Sequence, residues 1–348
     1  MGKTVIMKCA CLSALLLWAG TTNLRAQQAV AGVDVFSFFD NSEGDDTYRR
    51  AQTFGGIRMA PQLALATPDA QHRIVGGYDF IYDYGTRQVG DGSPLLYYQY
   101  SGEKLRVLMG SFPRTMMHEQ MPDYLICDSV RYYRPEMTGF DFLYTARNGH
   151  FEAFLDWTQL RTETEREQFM AGISTRFRLG WLQLGLEGYY YHYALETHGR
   201  EMGHHIHDNL MAHPFVGAVW NDESNNRTLD VRAGLLFQAD RDRGDSKWHS
   251  PVGFMGDIDA RWHRFALHES CYAGKRQQYF GNSGFGQYYW GDTFVQSPWY
   301  SRSDLTYTIV ENRYARLATG VAVHLTEKGM LWHQLLTLHC NLDFRLKH

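Results

Sequence analysis

The chain has 348 residues, a formal charge of −4, and 44% hydrophobic residues that include 22 Tyr, 20 Phe and 9 Trp. A mildly acidic balance argues against nucleic acid as a partner. Cys127, Cys271 and Cys340, the three cysteines beyond residue 26, are odd in number and lack metal-type spacing, which excludes a disulfide framework as the basis of the fold.

The first element is MGKTVIMKCACLSALLLWAG, with Lys3 and Lys8 ahead of an apolar run that ends near Ala19. Leu24-Arg25-Ala26 offers residues tolerated around a cleavage site, so residues 1–26 read as a secretory signal peptide and 27–348 as a single exported domain. The apolar run is well short of the ~20 residues a spanning helix needs.

From there the pattern is alternation. Strands are predicted near 30–40, 54–66, 73–84, 95–101, 104–112, 137–146, 150–158, 167–179, 182–194, 210–220, 227–239, 251–261, 264–273, 299–310, 314–325 and 330–346. That makes about sixteen, with fourteen the alternative, and many reach the ~10 residues a tilted strand needs to cross a bilayer. In LTLHCNLDFRL (336–346), Leu336, Leu338, Cys340, Leu342, Phe344 and Leu346 share one face and Thr337, His339, Asn341, Asp343 and Arg345 the other. The connections sort by parity: even-numbered ones such as SGE, RNG, GW and WH are short, and all odd-numbered ones but the last are longer. A Greek-key sandwich has no reason to sort its loops this way, whereas a membrane-spanning up-and-down antiparallel β-barrel does.

The hairpin LLYYQYSGEKLRVLMGSFPR (95–114) and the alternating final strand NLDFRL resemble the porin-like outer-membrane β-barrels of Bacteroidetes-type Gram-negative bacteria. The resemblance covers the whole exported chain but carries no catalytic motif. Where the usual final strand ends in an aromatic residue, this chain ends in His348 with Phe344 four positions earlier. The resemblance implies export through the periplasm, contact with outer-membrane lipid and the barrel-insertion machinery, and passive or weakly selective diffusion of small hydrophilic solutes. It implies no cofactor and no enzymatic activity, and leaves homotrimer formation open. A closed barrel that presents its loops at 113–136, 196–209 and 274–298 to a ligand is the alternative.

General porins fold the loop after the fifth strand into the lumen, and here that connection, Pro113–Glu136, is one of the two longest. Its Arg114, His118, Glu119, Asp123, Asp128, Arg131 and Arg134 are expected to line a constriction. Face assignments place Arg58, Asp79, Arg106, Asp156, Arg176, Glu187, Arg232, Asp257, Arg302, Asp304 and Arg316 in the lumen, as a solvated wall or a salt-bridged plug. No metal site is expected, with His205, His207 and His213 of the histidine-rich segment the weak candidates. His268 and Ser270 in ALHES share the spacing of the pair in a barrel-type outer-membrane phospholipase. The pair falls on the inward face, which argues against its use as a lipid-facing catalyst.

Overall fold

The computed structural model describes residues 28–346, apart from 87, 91, 246 and 282–287. The predicted signal peptide and most of the glycine-rich GNSGFG segment therefore lie outside the described residues. Alternation becomes sixteen antiparallel strands: β1 (Gln28–Asp45), β2 (Thr53–Ala66), β3 (His72–Asp83), β4 (Ser93–Ser101), β5 (Leu105–Pro113), β6 (Glu136–Ala146), β7 (Gly149–Gln159) and β8 (Gln168–Leu179), then β9 (Leu182–Tyr193), β10 (His207–Asp222), β11 (Arg227–Asp242), β12 (Val252–Trp262), β13 (Phe265–Gly274), β14 (Trp299–Glu311), β15 (Ala315–Thr326) and β16 (Gly329–Leu346). Each strand pairs with its sequence neighbours, and β1 closes on β16 from Ala29 against Leu346 to Asp45 against Met330. All sixteen predicted strands are present. The main differences are at ends, with β1 running five residues further and β10 starting three residues earlier than the polar sequence there suggested.

The two faces of each strand have inverted polarity relative to a soluble protein. Asp141 and Glu152 are fully buried and Asp257 nearly so, while Leu184, Val216, Phe254 and Leu305 are about half exposed. Burying charge and exposing Leu costs free energy in water, but it is the stable arrangement when the outside is hydrocarbon and the inside polar. The apolar face of β16, with Leu336 and Leu342 exposed, thus belongs to the outer surface, and its polar face to the interior.

Aromatic residues collect at both rims, as expected of rings at a membrane interface. Trp181, Trp220, Trp262 and Tyr314 stand exposed beside the short turns, and Tyr84, Trp157 and Trp299 toward the long loops. The short turns rely on tight backbone: His263, in the two-residue β12–β13 turn, sits at φ 54°, and Gly180 in the β8–β9 turn at φ 63°. An even strand number leaves both chain ends at this short-turn rim.

Candidate functional site

The interior is crossed by two of the long odd-numbered loops. The β5–β6 segment begins with a 3₁₀ turn (Arg114–Met116) and ends in a short helix, α1 (Asp128–Tyr133). Its apolar Met117, Met121, Leu125, Ile126 and Val130 are buried in one cluster with inward-facing Met170, Tyr189, Tyr191 and Met255 of the wall. The β13–β14 segment packs against it from the other side. Cys127 N–H donates to Trp290 O at 2.8 Å, and Asp292 N–H donates to Asp123 O at 2.9 Å. Sequence reasoning placed the segment 274–298 among surface loops, and its buried Trp290, Phe294 and Val295 correct that reading.

The expected constriction residues are distributed around the lumen rather than gathered in one ring. Arg114 is 3% exposed and bonds Asp156 at 2.6 Å, and both Arg114 and Arg134 lie over the Trp290 ring, at 5.5 and 5.2 Å. The His118 ring packs on His150, and Glu119 meets Arg176 at 2.7 Å. Asp123 and Asp128 both pair with Arg131 and with Arg302, which also binds Asp304 at 2.7 Å. Burial alone would raise the Asp128 carboxyl, but Arg302 and then Arg131 hold it well below the usual carboxylate range. That ion pairing is therefore complete at neutral pH and is lost only as pH falls through the lowered value.

The remaining charges predicted for the lumen form pairs along the wall. Arg58 bonds Asp79 and also Glu136 at 3.1 Å; Arg106 bonds Asp141 and Glu152, each at 2.9 Å. Arg176 bridges Asp230 at 2.9 Å and Glu187 at 3.4 Å, and Arg232 joins Glu187 at 3.4 Å to Asp259 at 2.5 Å. Phe215 lies between these two arginines, with guanidinium carbons 5.6 and 5.7 Å from its ring. Arg316, at the short-turn rim, is half exposed with Glu311 4.0 Å away.

The three weak histidine candidates do not converge. His205 is exposed near Asp242 at 3.5 Å; His207 is buried against Asp240 at 2.7 Å and stacks on Tyr288; His213 contacts the Tyr124 hydroxyl at 2.6 Å. His207 and His213 are six residues apart on one extended strand, roughly 20 Å, too far to share an ion.

His268 and Ser270 sit inside the barrel, as their parity required, and the register supplies what the sequence could not. β12 pairs with β13 so that Asp259 faces His268 and Asp257 faces Ser270. His268 Nδ1 lies 2.7 Å from Asp259 Oδ1, its Nε2 lies 3.0 Å from Ser270 Oγ, and Ser270 also donates to Asp257 Oδ1 at 2.6 Å. With the Nδ1 proton directed at Asp259, Nε2 is left as an acceptor beside the hydroxyl, the relation a nucleophile needs with its base. The hydroxyl proton has two acceptors, and rotation about Cβ–Oγ suffices to exchange them. Arg302 stands directly across β13–β14 from Ser270, and Asp304 across from His268. A cavity of about 260 Å³ at the short-turn end of the lumen is lined by Asp259, His268, Asp304, Thr306 and Arg261.

A family model described as lipid A 3'-O-deacylase-type matches residues 22–348, nearly the whole sequence. The chain belongs to that family. This overturns the expectation of a barrel without enzymatic chemistry, since the family is one described by an enzyme activity. The sequence reading set aside His268 and Ser270 for facing inward; the cross-strand Asp259 beside them depends on register and could not be seen in the sequence. No individual curated protein matches the sequence. Among solved structures the family member is similar to Pseudomonas aeruginosa OpdL (TM-score 0.52, 10% identity, 91% of this chain and 99% of that one). It is also similar to an anion-selective porin from Comamonas acidovorans (0.52, 8%, 91% and 100%). A loop L8 deletion mutant of OmpT, an outer-membrane protein of Vibrio cholerae, is a third (0.51, 9%, 89% and 99%). At these identities the likeness is one of fold, the sixteen-strand porin-type barrel.

Proposed function

We propose that this family member is an outer-membrane acyl-ester hydrolase with Ser270 as nucleophile, His268 as general base and Asp259 as the group that orients the imidazole. The observation that carries the reading is the Asp259–His268–Ser270 chain of contacts at 2.7 and 3.0 Å. In this scheme Ser270 Oγ attacks the ester carbonyl carbon as its proton passes to His268 Nε2. The tetrahedral oxyanion collapses to an acyl-serine as the imidazolium protonates the departing alcohol, and water then releases the fatty acid by the same route. Asp259 would stabilise the imidazolium, and Arg302, opposite Ser270 in the β13–β14 register, would offset part of the developing negative charge. The family description suggests an O-acylated lipid such as lipid A as substrate. The cavity reaches His268 and Asp259 from the short-turn side, which the chain ends would place in the periplasm; Ser270 is 3% exposed and does not line it, so an ester would reach the hydroxyl only as the side chains around it shift.

The test is labelling of the detergent-folded chain with a fluorophosphonate, alongside fatty-acid release from O-acylated lipid A. Wild type should label and release acid, Ser270→Ala should do neither, and Asp259→Asn should lose at least about a hundredfold in rate. Equal labelling of wild type and Ser270→Ala would sink the assignment.

A second reading, favoured by the sixteen-strand girth and the two-signed lumenal wall, is passage of small hydrophilic solutes. Stepwise currents in planar bilayers that grow when Pro113–Glu136 is shortened would support it. Silence from both forms, with heat-dependent gel migration showing each folded, would favour the closed barrel.

A further inference from the structure

We infer that His118, Glu119 and His150 form a binding site for a borderline divalent cation of the zinc class, built between the β5–β6 loop and the barrel wall. The inference is independent of the ester-hydrolase reading, because none of these residues touches Ser270 or His268.

The geometry is convergent. One ligand atom from each of the three side chains lies within 4.8 Å of the other two, the only such group among the described residues. His150 projects inward from β7, is 8% exposed, and its Nε2 is buried without a hydrogen-bond partner, 4.0 Å from Glu119 Oε2. A buried imidazole nitrogen left unsatisfied is costly, and a metal is one partner that removes the cost. The His118 and His150 rings lie 4.5 Å apart, edge to face.

The surroundings hold the three groups in place. Glu152, fixed by Arg106 at 2.9 Å, accepts the His118 backbone N–H at 2.8 Å and so anchors the loop at this point of the wall. Arg176 forms an ion pair with Glu119 at 2.7 Å, but Glu119 Oε2, like His150 Nε2, is buried without a hydrogen-bond partner. An outer partner of this kind restrains the direction of a metal-bound carboxylate.

The donor set decides the class of ion. Two imidazoles and one carboxylate suit zinc and its first-row neighbours, whereas calcium and magnesium prefer oxygen alone. Tetrahedral ligands on zinc sit roughly 3.3 Å from one another, given zinc–nitrogen distances near 2.0–2.1 Å. The present separations close to that value by rotation of His118 and Glu119, which belong to the loop and are at least partly exposed. Three protein ligands leave a fourth position for water. A bound cation would tie the lumenal loop to β7 at the end of the barrel where the short turns lie.

The experiment is calorimetric titration of the detergent-folded full chain with zinc chloride, repeated with cobalt(II) while its visible d–d absorption is followed. Wild type should take up one equivalent at this site, and zinc should raise the unfolding midpoint with the logarithm of free zinc once that exceeds the dissociation constant. His118→Ala and His150→Ala should each weaken uptake at least about tenfold, with heat-dependent gel migration confirming the fold, while His205→Ala leaves it unchanged. Because His118 is exposed, its replacement keeps the test valid even where the His150 variant fails to fold. No uptake by wild type, uptake undiminished in His118→Ala, or uptake that instead follows His205 would each overturn the inference.

Discussion

Arg302 is 4% exposed and meets Asp123, Asp128 and Asp304, carboxylates from both the wall and the loop. Replacing it with Met should cost about 3–5 kcal/mol in urea unfolding from micelles, because Asp304 is left without its cation and Asp123 and Asp128 keep only Arg131. A variant as stable as wild type would mean those carboxylates find protons or other partners. Cys127 offers a second measurement at this scale. Burial pushes its thiol up to about 12 and leaves it 1% exposed, so iodoacetamide should modify it only after unfolding, well after the exposed Cys271. Much of the residue-level picture could be read from parity, which placed Asp257, Arg302 and Ser270 inward. The partners could not, because a one-residue change of register would present a different side chain to His268 than Asp259.

At the scale of elements, the wall and the two lumenal loops obey different rules. Val321 lies midway along β15 on the outer face and is 44% exposed, so Val321→Arg should destabilise the folded barrel by about 2–4 kcal/mol in lipid vesicles, and the same change near a rim by far less. Trp290 is 1% exposed between the two loops and under two guanidinium groups. Its replacement by Ala should cost about 3–5 kcal/mol if the loops pack as one body, measured by the same unfolding assay. The strands were legible because period-two alternation survives in almost every one of them. The β13–β14 loop was not, since a segment that folds inward and one that faces solvent can share the same mixture of Gly, Gln, Tyr and Trp. The early start of β10 was hidden for a related reason: His207 and Asn209 are inward-facing and fully buried, yet read as loop by composition.

For the molecule as a whole, the β1–β16 seam is as long as either strand allows and holds the cylinder shut. Removing β16 from Gly329 onward should abolish the heat-dependent gel shift altogether rather than weaken it, because the open fifteen-strand sheet that remains would leave two unpaired edges in hydrocarbon. The architecture and closure of the barrel followed from loop parity and strand number, both visible in the sequence, whereas the filled interior followed from tertiary contacts that no periodicity encodes. The backbone bonds joining Cys127 to Trp290 and Asp292 to Asp123 bring a further consequence. The two halves of this clasp leave the ribosome more than 150 residues apart, yet they meet inside a cylinder whose last staves arrive later still. The chain therefore cannot be completed as an empty tube and furnished afterwards through a narrow mouth without threading a folded loop. The economical order of assembly joins the two loops while the sheet is still an open trough and then draws β16 across to β1, so that the contents are enclosed by the act of closing.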